Sequence, residues 1–166
     1  MKDTTWGQEY LKELEAEVAA TRKCLERIPD DLFKWKPHNK SMDMGTLAFI
    51  VADIPRWITT MVKASEIDFV KFKHDEPKTT GDLVKFFDEH MKSARNALQN
   101  VSDEALAEPF YLKNNGQVVF TSPKKDNISS SINHLVHHRG QLTVYMRLKD
   151  IPVPAIYGPS ADDRGF

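Results

Sequence analysis

The 166-residue sequence has a single cysteine, Cys24, so no internal disulfide can form and packing alone must hold the fold. It also has no excess charge of either sign, because 23 Lys and Arg nearly cancel 24 Asp and Glu. The basic residues are dispersed, with Lys71 and Lys73, then Lys124 and Lys125, the nearest approach to a cluster. No stripe exists to follow a polyanion, and nucleic acid is not the expected partner. No apolar run approaches the roughly 20 residues a bilayer demands, so no membrane partner is expected either. The opening MKDTTWGQEYLKELEAE lacks the apolar centre of a secretion signal, and the expected location is the cytoplasm. A Gly-rich phosphate loop, a serine nucleophile elbow and a paired-carboxylate signature are all missing. No residue is therefore assigned a catalytic role.

The composition, 40% hydrophobic and 28% charged, is that of an ordinary globular chain, and the length suits one domain over 1–166. Four stretches carry helical periodicity. The first runs from about Thr5 to Ile28, with Leu11, Leu14, Val18, Cys24/Leu25 and Ile28 facing inward and Glu13, Glu17, Lys23 and Glu26 outward. A connector anchored by Leu32, Phe33 and Trp35 follows. The second helix spans about Met44 to Ser65, with Leu47, Ile50, Val51, Ile54, Ile58 and Met61 on one face, and Pro55 inside it predicts a kink. Lys78-Thr79-Thr80 is a good N-cap neighbourhood for a third helix reaching about Asn100.

The period then changes. Phe110 and Leu112 precede Asn114-Asn115-Gly116, and Val118 and Phe120 follow, which predicts a β-hairpin turning on Asn-Gly. A fourth helix covers about Lys124 to Asp150, with Ile128, Leu135, Leu142 and Tyr145 in its core stripe, and the proline-rich tail should be irregular. Four amphipathic helices that must each bury a stripe predict an all-α four-helix bundle, with the small hairpin before the last helix.

His134 and His138 are four residues apart, so their side chains share a helical face about 6 Å apart and can converge on one ion. At 3.6 residues per turn, Tyr145 lies about 20° and Gln141 about −20° from His134, while His137 points elsewhere. Both imidazoles are expected at the edge of the core-facing stripe. The zincin glutamate is absent, so a metalloprotease is not indicated. Cys24, on an apolar stripe, reads as an inert core thiol, and Arg139 as a partner for an acidic residue or the tail. Trp57 and Tyr145 could line a pocket, although aromatics at such spacing are more often core residues.

The run HLVHHRGQLTVYMRLKDIPVPAIYGPSADD resembles the last helix and tail of DinB/YfiT-like proteins, which carry a His-x-x-x-His-Arg-x-Gln signature. The run SMDMGTLAFIVADIPRW resembles their second helix, and the helix order and late hairpin agree over nearly the whole chain. The resemblance implies an up-down four-helix bundle with a long crossover, often a homodimer. It also implies a zinc or nickel ion on three histidines, two of them matching His134 and His138. The third position falls three residues after Leu47, where this chain has Ile50, placed by its periodicity on the core face with an apolar contact filling the site. His90 and Asp53 are the substitutes to be weighed, and His38 and His74 lie in expected loops. Two readings stand at this point. One is a residual metal-dependent enzyme of the thiol S-transferase or hydrolase kind, using a low-molecular-weight thiol. The other is a non-catalytic small-ligand-binding or dimerisation module, with a pocket bounded by Ile50, Trp57, Gln141 and Tyr145.

Overall fold

The computed structural model describes residues 4–72 and 77–165; Lys73 and His74 lie outside the described residues. Four long helices and a short one form: α1 (Trp6–Glu26), α2 (Met44–Lys63), α3 (Thr80–Asn100), α4 (Asp103–Ala107) and α5 (Lys124–Leu148). A single 3-10 turn, Asp30–Leu32, sits in the connector. Their starts follow from local chemistry. Thr5 and Gln8 cap one another reciprocally at α1, each side chain accepting the other's backbone N–H. The Asp43 carboxylate accepts from Thr46 N at 2.8 Å at α2, and the Thr79 hydroxyl accepts from Asp82 N at 3.1 Å at α3.

α2 lies against α3 and α5, and α1 closes the opposite side against the same two helices, touching α2 only sparsely. Leu14 and Leu25, Leu47 and Ile58, Leu83 and Phe87, and Ile128 and Leu142 meet in the shared core, each at most 1% exposed. Burial of one such side chain contributes about 1.5–3 kcal/mol. Pro55 sits buried inside α2, and the helix continues through it to Lys63. No helix among the described residues is long and apolar enough to cross a membrane.

Three features correct the sequence reading. The hairpin of β2 (Pro109–Asn114) and β3 (Gln117–Pro123) is joined by a third strand, β1 (Glu66–Asp68), paired parallel to β2. The protein is thus mainly helical with a small three-stranded sheet, not all-α. The Asn-Gly turn forms as expected, with φ of 49° at Asn115 and 80° at Gly116. β1 supplies what local sequence did not reveal: Asp68 accepts from the backbone N–H of Asn115 at 3.1 Å and of Gly116 at 2.8 Å. The second correction is α4, a five-residue helix capped by Ser102. The third is Glu17, which is buried on α1 rather than facing solvent; its partner is described below.

Among the described residues the tail after α5 has no regular element, as expected, but it is pinned. Asp162 accepts from Arg147 at 2.5 Å and from Val153 N at 2.9 Å, and Asp163 faces Lys23 and Arg27.

Candidate functional site

A cavity of about 540 Å³ opens between α2 and α5, within the range usual for small-molecule sites. α2 presents Thr46, Phe49, Ile50, Asp53, Ile54, Trp57 and Met61 to it, successive steps along one helical face. α5 presents Asn127, Ser130, Ser131 and His134, again at helical spacing, so one wall is apolar and the other polar. Phe69, Leu112 and Phe120 come from the sheet region. Phe69 and Phe120 are about half exposed, at 48% and 53%.

Most of the polar groups in this wall are already engaged. Asp53 is 3% exposed, accepts from Arg56 Nε at 2.6 Å and from Trp57 Nε1 at 2.8 Å, and so fixes the indole against the cavity. The Asn127 amide donates to Ser122 and Pro123, and the Ser131 hydroxyl donates to the Asn127 carbonyl at 2.8 Å. Thr46 and Ser130 complete the polar lining.

His134 and His138 are brought together, their Nε2 atoms 2.6 Å apart, and His138 Nδ1 meets Gln141 Oε1 at 2.7 Å. His134 is exposed and His138 half-buried, so neither lies as deep as the helical angles suggested. The His134 ring nonetheless sits in the cleft. The water it loses there lowers its pKa from the ordinary imidazole value, with His138 and His137 acting in the same direction. His137 stacks edge-on to His138 at 5.1 Å.

At the third-ligand position the structure corrects the expected core contact and keeps the expected pocket wall. Ile50 is not packed into the core; it is half-buried and lines the cavity that His134 also lines. His90 on α3 packs edge-on to Phe86, with ring centroids 4.3 Å apart, and its pKa is lowered by burial first and then by Arg56. Asp53 is taken up by Arg56 and Trp57. Among the described residues, no group of three or more His, Cys, Asp or Glu could hold a metal ion. Tetrahedral zinc would also hold the two nitrogens about 3.3 Å apart, so it would have to part the imidazoles. The donor set does not fit a three-histidine centre.

Gln141 and Tyr145 do not line the cavity. Gln141 orients His138, while the Tyr145 hydroxyl donates to the Met42 carbonyl at 3.2 Å and its ring meets Trp35 edge-on. His38 remains in the connector, its Nδ1 accepting from Lys40 N. Burial pushes the Cys24 thiol up to about 11, the Arg139 and Arg27 charges opposing only in part. Arg139 is 1% exposed and meets Glu17 at 2.6 Å, Thr21 at 3.0 Å and the tail's Tyr157 hydroxyl at 3.0 Å. Thr46, Phe49, Phe69, Leu112, Phe120, Asn127, Ser130 and Ser131 were not foreseen on this wall. The polar spacing of Asn127, Ser130, Ser131 and His134 was a signal for the α5 residues; Phe69, Leu112 and Phe120 come together only in three dimensions.

Known proteins share this architecture. The chain is similar to the uncharacterized protein YrdA of Bacillus subtilis (strain 168), 26% identical over 154 residues, which are 93% of this chain and 89% of YrdA. The crystal structure of the DinB-like protein YjoA from Bacillus subtilis superposes with a TM-score of 0.67 at 15% identity, covering 86% of this chain and 92% of that one. A DinB-like protein from Bacillus cereus ATCC 10987 gives 0.66 at 21%, over 89% and 95%. At these identities the two structures show the fold alone. The DinB family model matches residues 1–164, and the chain belongs to the DinB family.

Proposed function

We propose that this chain binds a small, largely apolar molecule in the cleft between α2 and α5. The observation that carries this reading is Ile50, which puts an alkyl side chain on the cavity wall where a three-histidine centre would need its third imidazole. Trp57, held by Asp53, and the flanking Phe69 and Phe120 give that wall the rigid apolar surface such ligands require. The four long helices are read as the up-down bundle that the resemblance implies, in a cytoplasmic homodimer.

The test is titration of the untagged chain with the neutral fluorophore N-phenyl-1-naphthylamine. Saturable binding to the wild type should fall by about tenfold or more in Ile50→Trp, whose indole would occupy the cavity. Equal binding by the variant, or no saturable binding by the wild type, would sink the reading.

A second reading keeps the metal. The Nε2 atoms of His134 and His138 converge on one point, which favours a weakly held zinc or nickel ion and a residual thiol S-transferase or hydrolase activity. Among the described residues it lacks a third donor, and the first reading is preferred for that reason.

A further inference from the structure

The α5 wall of the cleft carries a hydrogen-bond chain with one direction. Gln141 Oε1 can only accept, so His138 Nδ1, 2.7 Å away, carries the proton. Neutral His138 then has its lone pair on Nε2. His134 Nε2, 2.6 Å from it, must donate. Neutral His134 is left with its lone pair on Nδ1, for which no hydrogen-bond partner occurs among the described residues. Of the three imidazoles in this run, His134 is the one that lines the cavity.

The rest of the lining narrows what can sit there. Among the described residues it contains no Lys or Arg, and its one carboxylate there, Asp53, is already paired with Arg56 and Trp57. An anionic ligand would enter beside that carboxylate without a cation among the described lining residues to meet it. A ligand lacking a donor that covered His134 Nδ1 would leave its lone pair unsatisfied.

We propose that the occupant is a neutral, mainly apolar molecule with one weakly acidic O–H or N–H, a phenol being the simplest case. Its proton is donated to His134 Nδ1, and its body lies against Trp57, Phe69 and Phe120. The assignment rests on the cleft being a small-molecule site.

Three compounds of one shape separate the two claims: 4-propylphenol, propylbenzene and 4-propylbenzoate, each displacing N-phenyl-1-naphthylamine from the full chain. The phenol should bind about tenfold more tightly than propylbenzene, the worth of one buried hydrogen bond, with the benzoate weakest. In His134→Phe the ratio of phenol to propylbenzene affinity should collapse towards one. In Gln141→Leu, which frees the tautomer of His138, the ratio should shrink. Equal binding of phenol and propylbenzene by the wild type, tightest binding by the benzoate, or a phenol preference that survives His134→Phe would overturn the donor assignment while leaving the cleft as an apolar site. Failure of all three compounds to displace the fluorophore would overturn both.

Discussion

Arg139 and Glu17, separated by 122 positions in sequence, form a buried ion pair at 2.6 Å that ties α5 to α1. Arg139 also donates to the Thr21 hydroxyl, and Tyr157 donates to the Glu17 carboxylate at 3.0 Å. Every strong group in this cluster has a partner. Removing one of the two charged groups leaves the other buried without its counter-ion, which typically costs about 3–5 kcal/mol, whereas replacing both by hydrophobes of similar volume is often neutral. Glu17→Ala should therefore lose about that much in urea denaturation, and the double variant Glu17→Leu/Arg139→Met should recover most of it. A double variant as unstable as the single one would show that the pair is needed for more than charge balance.

Metal affinity should depend on residue 50. The wild type, purified without a tag, should contain no stoichiometric zinc or nickel by elemental analysis. Ile50→His adds a third imidazole to the cavity that His134 lines, and should raise zinc affinity by about a hundredfold or more. His138→Ala in that background should remove the gain. Tight metal in the wild type, lost in His138→Ala alone, would restore the enzyme reading.

Cys24 should be silent towards alkylation. It is fully buried, and with its pKa at about 11 roughly one thiol in three thousand would be ionised at pH 7.5 even with free access. Reaction with iodoacetamide should therefore follow the global unfolding rate rather than the reagent's intrinsic rate. Labelling of the folded chain within minutes would contradict the packing of α1.

The parts of the fold that were legible in the sequence are those specified locally. The start of α3 was legible as the Lys78-Thr79-Thr80 neighbourhood because Thr79 and Asp82 form a cap that periodicity alone would not locate. The hairpin was legible because only a few residue pairs accept the positive φ angles found at Asn115 and Gly116. β1 was not legible, since Glu66-Ile67-Asp68 has one apolar residue and owes its strand conformation to β2, more than forty positions away. Glu17 misled for a similar reason: a glutamate on a helix reads as solvated until a distant arginine reaches it. In the candidate site, the approach of His134 to His138 followed from their spacing. Ile50 and Trp57 were expected on a pocket wall; Phe69 and Phe120, which close that space from another part of the chain, were not.

The parallel seam between β1 and β2 also bears on the order of assembly. The helices and the hairpin close contacts between residues near in sequence, which form fast, whereas the seam must enclose α3 and α4 before it can zip. Phe69, just beyond β1, and Leu112 and Phe120 on the hairpin therefore meet across the cleft only when that enclosure is complete. A molecule seated between them would be a clasp on a late-forming contact. It would slow the first step of coming apart without hastening the last step of coming together.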